Sequence, residues 1–365
     1  MKLVISRLDL LNLITKIQAV IPSKPALPVL NNVLLEAIDD QLILSATDLT
    51  VSMRAYTNAK VEEQGSIALP AKKFFQLVRE ITTPQVEIQT TTSEIALINA
   101  GTSHFKMSGM NKSEFPTLPD FEGGISLMLD NSLLKEMLVR SSFSAARDDN
   151  RQVLKGILFQ YREKLATFVG TDGKRLARLF ADIEFGEGQV GSYVLPLKAV
   201  EEIIALLDVK DQKSKLTLLP DKISIETDNI LLITKLLNGQ YPDVDRIIPQ
   251  KSAAPVALHR EELISLLRQV SLFTKDQSSA VRFTLTSGEL HLAAMGGDIG
   301  EGKVSMVANY GGPHLEMAFN PHFFIDILRH SKDEVVQLSF IDGYNPLLIT
   351  DSTNAHFVLM PMRLE

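Results

Sequence analysis

The chain has 365 residues, no cysteine, no tryptophan and a formal net charge of −7. Without cysteine there is no disulfide, no thiolate nucleophile and no iron–sulfur ligation, a composition compatible with a reducing cytoplasm. The negative charge argues against a conventional high-affinity nucleic-acid binder, which concentrates Lys and Arg against phosphates, while 45% hydrophobic residues suffice for several cores at this length.

The amino terminus, MKLVISRLDLLNLITKI, starts apolar, but Arg7 and Asp9 interrupt it, so neither a cleavable leader nor a membrane span is read there. Leu10, Leu13, Ile14 and Ile17 recur at helical spacing, and Ser6, three residues before Asp9, resembles a capping box. LLEAIDDQLILSATD (34–48) predicts a β-hairpin. A second helix opens at Pro70 in PAKKFFQLVREI, and VEIQTTTSEIALINA (86–100) predicts another hairpin.

The series then returns twice. Leu134, Met137 and Leu138 answer the first helix, 157–172 the first hairpin, and Pro196 opens a helix that stacks Val200, Ile203, Ile204 and Leu207 on one face, followed by a hairpin at 215–229. Leu263, Leu266, Leu267 and Val270, a hairpin at 281–295, a helix opening at Asn320 and a hairpin at 336–350 make the third set. Pro70 to Pro196 is 126 residues and Pro196 to Asn320 is 124. The expectation is a tandem of three similar α+β domains, 1–121, 122–249 and 250–365, each with two helices and roughly eight strands packed as antiparallel sheets. Triplication alone says nothing about activity, because repeats also serve as scaffolds.

Three patterns invite a chemical reading. GDIGEGKV (297–304) has the G-x-x-x-x-G-K spacing of a phosphate-cradling loop, but Val304 stands where Ser or Thr should hold magnesium, and VSMVA reads as a strand where a helix must begin. Asp148, Asp149, Asp172, Asp243 and Asp245 could collect into a magnesium site, yet each lies in a turn-like stretch where Asp is expected for backbone hydrogen bonding alone. The seven histidines show no H-E-x-x-H spacing, and no serine sits in a G-x-S-x-G elbow. A metal-dependent phosphoryl-transfer enzyme and a repeat scaffold without DNA are the competing readings; no metal, cofactor or catalytic residue is assigned.

Two stretches are odd for a purely structural protein: TDGKRLA (171–177) and the tail VLMPMRLE (358–365). Chain ends usually fray and are polar, whereas this one is apolar and rich in methionine, which adapts to varied apolar ligands. From the residues alone the tail reads equally as a buried terminal strand and as one wall of a peptide-binding surface. The predicted helices carry slightly more Lys and Arg than Asp and Glu, against 37 and 44 in the whole chain; ordinary solvated helix faces would give the same bias.

These segments, with PALPVLNNVLLEA (25–37), ATDL (46–49), LPAKKFF (69–75), EFPTLPDF (114–121), LKGILF (154–159) and NGQYPDVDRIIP (238–249), occur in the order and at the spacing of one family. From Met1 to Leu364 the chain resembles the β subunit of bacterial DNA polymerase III, the sliding clamps. The resemblance implies a head-to-tail homodimer forming a six-domain ring, with helices lining a hole for double-stranded DNA held without sequence preference. It also implies a cytoplasmic, non-catalytic processivity factor whose partners are the replicative polymerase, a clamp loader and other proteins with a clamp-binding motif, with no cofactor and no membrane.

Position by position, the family's peptide-binding pocket falls on Leu154, Thr171, Gly173, Lys174, Arg175, Leu176, Pro242, Arg246, Ile247, Asn320, Val358, Met360, Pro361 and Met362. Lys174 stands where many relatives have histidine. DNA contacts fall on Lys24, Arg151 and Lys198, and Gln152 and Val153 stand where some relatives place two tyrosines. The dimer interface falls on Lys73, Phe105 and Met107, facing Leu272 and Phe273 of the other chain.

Overall fold

The structure is a computed structural model that describes residues 1–119, 123–185, 188–207, 212–249, 255–274, 280–296 and 300–363. Six α-helices and 25 strands form among them. The first set is β1 (Lys2–Ser6), α1 (Arg7–Gln18), β2 (Asn32–Ile38), β3 (Gln41–Thr47), β4 (Val51–Asn58), β5 (Lys60–Glu63), β6 (Gly65–Pro70), α2 (Ala71–Glu80), β7 (Gln85–Thr90), β8 (Ile95–Ala100) and β9 (Ser103–Ser108). The second is β10 (Ile125–Asp130), α3 (Asn131–Ser142), β11 (Gly156–Arg162), β12 (Leu165–Thr171), β13 (Arg175–Asp182), β14 (Val190–Pro196), α4 (Leu197–Leu206), β15 (Lys213–Leu218), β16 (Lys222–Thr227) and β17 (Ile230–Lys235). The third is β18 (Val256–His259), α5 (Arg260–Ser271), β19 (Val281–Thr286), β20 (Glu289–Met295), β21 (Glu301–Val307), β22 (Leu315–Phe319), α6 (Pro321–His330), β23 (Val335–Ser339), β24 (Leu347–Thr350) and β25 (Ala355–Leu359).

The chain divides into two compact units, Met1–Leu134 with Glu201–Leu236, and Lys135–Val200 with Leu237–Glu365. These do not follow the repeat, because strands of successive repeats share sheets. The first unit holds a five-stranded sheet, β5-β1-β7-β8-β9, and an eight-stranded sheet, β10-β15-β16-β17-β4-β3-β2-β6. The second holds an eight-stranded sheet, β14-β11-β12-β13-β25-β24-β23-β18, and a four-stranded sheet, β21-β20-β19-β22. In both eight-stranded sheets the seam is antiparallel, β4 with β17 and β13 with β25.

The helices form where the apolar period requires. In α1 the expected Leu10, Leu13, Ile14 and Ile17 are buried, and Ser6 Oγ accepts from the Asp9 amide at 3.4 Å, which satisfies one of the helix's free N–H groups. In α5 the buried set is Leu263, Ile264, Leu267 and Val270, with Leu266 only half-buried. Phe283, Phe319 and Phe324 join sheet to α6, their ring centroids 5.1–5.8 Å apart. Of the phosphate-loop-like segment, 297–299 lie outside the described residues, and Lys303 and Val304 belong to β21, so no helix begins there. Among the described residues no helix is long and apolar enough to cross a membrane.

Candidate functional site

All fourteen residues of the expected peptide pocket lie in the second unit. Its floor is apolar: Leu154, Leu176 and Val358 are buried in one cluster with Leu158, Val169, Tyr241 and Val244, against which Ile248 packs. Leu176 and Val358 face each other across the β13–β25 seam. Tyr241 reaches the Val169 carbonyl at 3.3 Å, and its burial pushes the phenol well above its ordinary range. Pro242 and Ile247 are brought here by their neighbours in that cluster; Ile247 is exposed, as is Arg246, which pairs with Asp243 at 2.9 Å.

Beside this cluster is the turn between β12 and β13. Thr171 Oγ1 donates to the Arg175 carbonyl at 2.7 Å and accepts from the Gly173 amide at 3.0 Å; Asp172 Oδ1 accepts from the amides of Lys174 and Arg175, each at 2.9 Å. Gly173 sits at φ +83°, a left-handed conformation that glycine adopts without strain, and a Cβ there would lie 3.0 Å from Arg151 Nη2. The Arg175 guanidinium, with a side chain only 11% exposed, bridges Asp172 at 3.1 Å and Asp326 of α6 at 2.7 Å, and lies 4.5 Å from the Phe323 centroid and 5.5 Å from that of Phe143.

The tail runs beside that turn. The Met360 amide donates to the Lys174 carbonyl at 2.9 Å, and the Met362 amide to the Ala318 carbonyl at 2.7 Å. Pro361 and Met362 line a depression with Leu315, Glu316, Gly343, the highly exposed Tyr344 and Arg363. The sequence reading missed Tyr344 and Leu315, which no motif marks. Asn320 caps α6, its Oδ1 accepting from His322 at 2.9 Å and Phe323 at 3.3 Å. The first half of the tail is the buried strand the sequence allowed, Val358 and Leu359 lying in β25, and Met360 to Arg363 are partly exposed.

Lys24 is exposed in the first unit; Arg151 and Lys198 are exposed in the second. Asp149 holds Arg151 at 2.9 and 3.1 Å, and this pairing drops the carboxyl to about 2. Asp172, Asp243 and Asp245 are likewise engaged, Asp245 with Arg178, and among the described residues no three His, Asp or Glu side chains are grouped to hold a metal.

Of the expected interface residues, Lys73 is exposed and Phe105 and Met107 are half-buried on β9, the outer strand of the five-stranded sheet. Leu272 is exposed just past α5, and the Phe273 ring lies over Gly302 of β21, where a Cβ would meet it at 2.5 Å. β21 is the outer strand of the four-stranded sheet, and Met295 and Val307 stand about it, both at least 80% exposed.

Three family models, the N-terminal, central and C-terminal domains of the DNA polymerase III beta subunit, match residues 1–119, 128–243 and 245–363. The chain belongs to the DNA polymerase III β subunit family. The beta sliding clamp of Chlamydia pneumoniae is 50% identical over 365 residues, covering 100% of both chains. Crystal structures of the Pseudomonas aeruginosa sliding clamp, one with a ligand and one bound to griselimycin, superpose with TM-scores of 0.96 and 0.95 at 27% identity, again covering 100% of both chains. Sliding clamps are processivity factors, so the chain is a DNA replication protein and not an enzyme.

Proposed function

We propose that two copies of this chain close head to tail into a ring around duplex DNA and tether the replicative polymerase, the clamp loader and other client proteins through the apolar groove of the second unit, in the cytoplasm. The domains of that ring are 1–121, 122–249 and 250–365. The observation that carries the dimer is the pair of outer strands β9 and β21, which have no partner on their outer sides among the described residues.

The internal repeat supplies the register. β2 and β3, and likewise β19 and β20, are joined by two-residue turns, so Met53 of β4 corresponds to Gly302 of β21. Two-residue turns also precede β9 and β17, so Phe105 corresponds to Leu232. Leu232 faces Met53 across the seam of the first unit. Phe105 of one copy therefore faces Gly302 of the other, and Lys106 faces Glu301. Ala177 opposite Phe357 in the other seam has the same pairing of a small residue with a large ring. Phe105 then meets Phe273 over Gly302, and both free edges are covered.

DNA retention in such a ring is topological, which suits an acidic chain: weak, mobile phosphate contacts from Lys24, Arg151 and Lys198 allow sliding where strong base contacts would stop it. Two grooves per ring raise a second client's effective concentration without stronger contacts. Mass in solution, together with retention on closed circular versus linear DNA after loading, tests this reading.

A further inference from the structure

Arg175 has been placed in the groove by resemblance, yet its guanidinium is almost wholly enclosed by Asp172, Asp326, Phe143 and Phe323. Resting on the groove reading above, we propose that Asp326, acting through Arg175, is a positioning residue that sets client affinity without touching the client.

The contacts form a closed circuit. Asp172 uses Oδ1 to hold the amides of Lys174 and Arg175 and Oδ2 to hold Arg175 Nε. Arg175 Nη1 reaches Asp326 in the middle of α6. The Lys174 carbonyl receives the Met360 amide, and Met362 returns to Ala318, two residues before the Asn320 cap of the same helix. The turn is thereby fixed to α6 through Arg175 and the tail to β22, the strand that runs into α6, so the groove is ordered before a client arrives and the client does not bear that ordering cost.

The repeat provides an internal control. In the corresponding turn of the first unit Asp48 Oδ1 accepts from Thr50 and Val51 at 2.9 and 2.7 Å, and Thr47 bonds the Leu49 amide, with Val51 where the second unit has Arg175. The turn therefore folds without an arginine. What Arg175 adds is attachment to α6, found at the turn whose neighbouring strand ends in the groove-forming tail.

The test uses the full-length protein and griselimycin as probe, with titration calorimetry for affinity and amide hydrogen exchange for the turn. Asp326→Asn should weaken griselimycin roughly ten-fold and speed exchange at Lys174 and Arg175, with the native mass unchanged. Arg175→Lys should weaken it similarly, the double variant should bind no worse than either single one, and Asp326→Glu should restore binding. Unchanged affinity and exchange in Asp326→Asn, or strictly additive losses in the double variant, would overturn the proposal. Failure of the groove reading looks different: Met360→Ser with Met362→Ser would leave griselimycin binding intact while Asp326→Asn still loosened the turn.

Discussion

The backbone amide of Met362 donates to the carbonyl oxygen of Ala318 at 2.7 Å, and the same crossing to a neighbouring strand occurs where each earlier repeat ends, Met110 to Ala68 at 2.8 Å and Leu237 to Val194 at 2.9 Å. After Met110 and Leu237 the chain continues, and Phe115 and Tyr241 are buried against the sheet just crossed. The tail at 360–362 is held by its backbone at the position where the two earlier repeats turn into a buried aromatic residue, and it keeps the Met360 side chain exposed.

Deleting residues 360–365 should accordingly leave fold and dimer intact, since β25 ends at Leu359, yet abolish binding of a client peptide. Native mass and calorimetric titration read the two effects separately.

At the interface, Phe105→Ala should remove a ring that faces only backbone and the Phe273 ring in the proposed register. A loss of about 3 kcal/mol at each of the ring's two interfaces, and so a rise of roughly ten-thousand-fold in the dimer dissociation constant, is expected from large-to-small substitution in a packed site. Analytical ultracentrifugation at nanomolar concentration checks it, and the conservative Phe105→Leu should sit between.

Much of this was legible in the sequence because it repeats. The helix faces and six hairpins follow from apolar period and turn residues, and the spacing of Pro70, Pro196 and Asn320 exposed the triplication. Shared sheets were not legible: nothing local in RLARLFAD or NAHFVLM states that Leu176 pairs with Val358, because strand partners far apart in sequence leave no spacing to read. The Asp326–Arg175 bridge, 151 residues apart, was hidden for the same reason, and the resemblance that put Arg175 in a peptide pocket says nothing of what its guanidinium touches.

Asp351→Ala should destabilise the second unit by about 2 kcal/mol, because it removes the closer of the two carboxylates that pair with the buried Arg140, leaving Glu136 at 3.2 Å. The Arg140 and Asp351 side chains are 6% and 0% exposed and lie 2.6 Å apart, and Arg140 also donates to the His330 carbonyl at 2.8 Å. The midpoint of denaturant unfolding, followed by exchange in residues 135–200, gives the value.

His330 should make stability fall in mild acid. Stacked on Phe143 at 4.1 Å, with Nδ1 at the Asp326 carbonyl, its imidazole is held below its ordinary value chiefly by burial, and the charges of Arg175 and Arg140 act in the same direction against Asp326. A folded value below the unfolded 6.5 means the unfolded chain binds the proton more readily. The contribution is whole above about 6.5 and is lost as pH falls through the lower folded value. Unfolding midpoints from pH 7.5 to 5 should decline, and His330→Gln should flatten the decline.

The central claim is topological retention on DNA, and the direct measurement loads the labelled protein onto nicked circular duplex with its loader, then cuts the circle. Retention in moderate salt followed by prompt loss on linearisation is the result expected of a closed ring that grips weakly; equal retention on circular and linear DNA would show that the chain holds DNA by contacts alone and contradict the account.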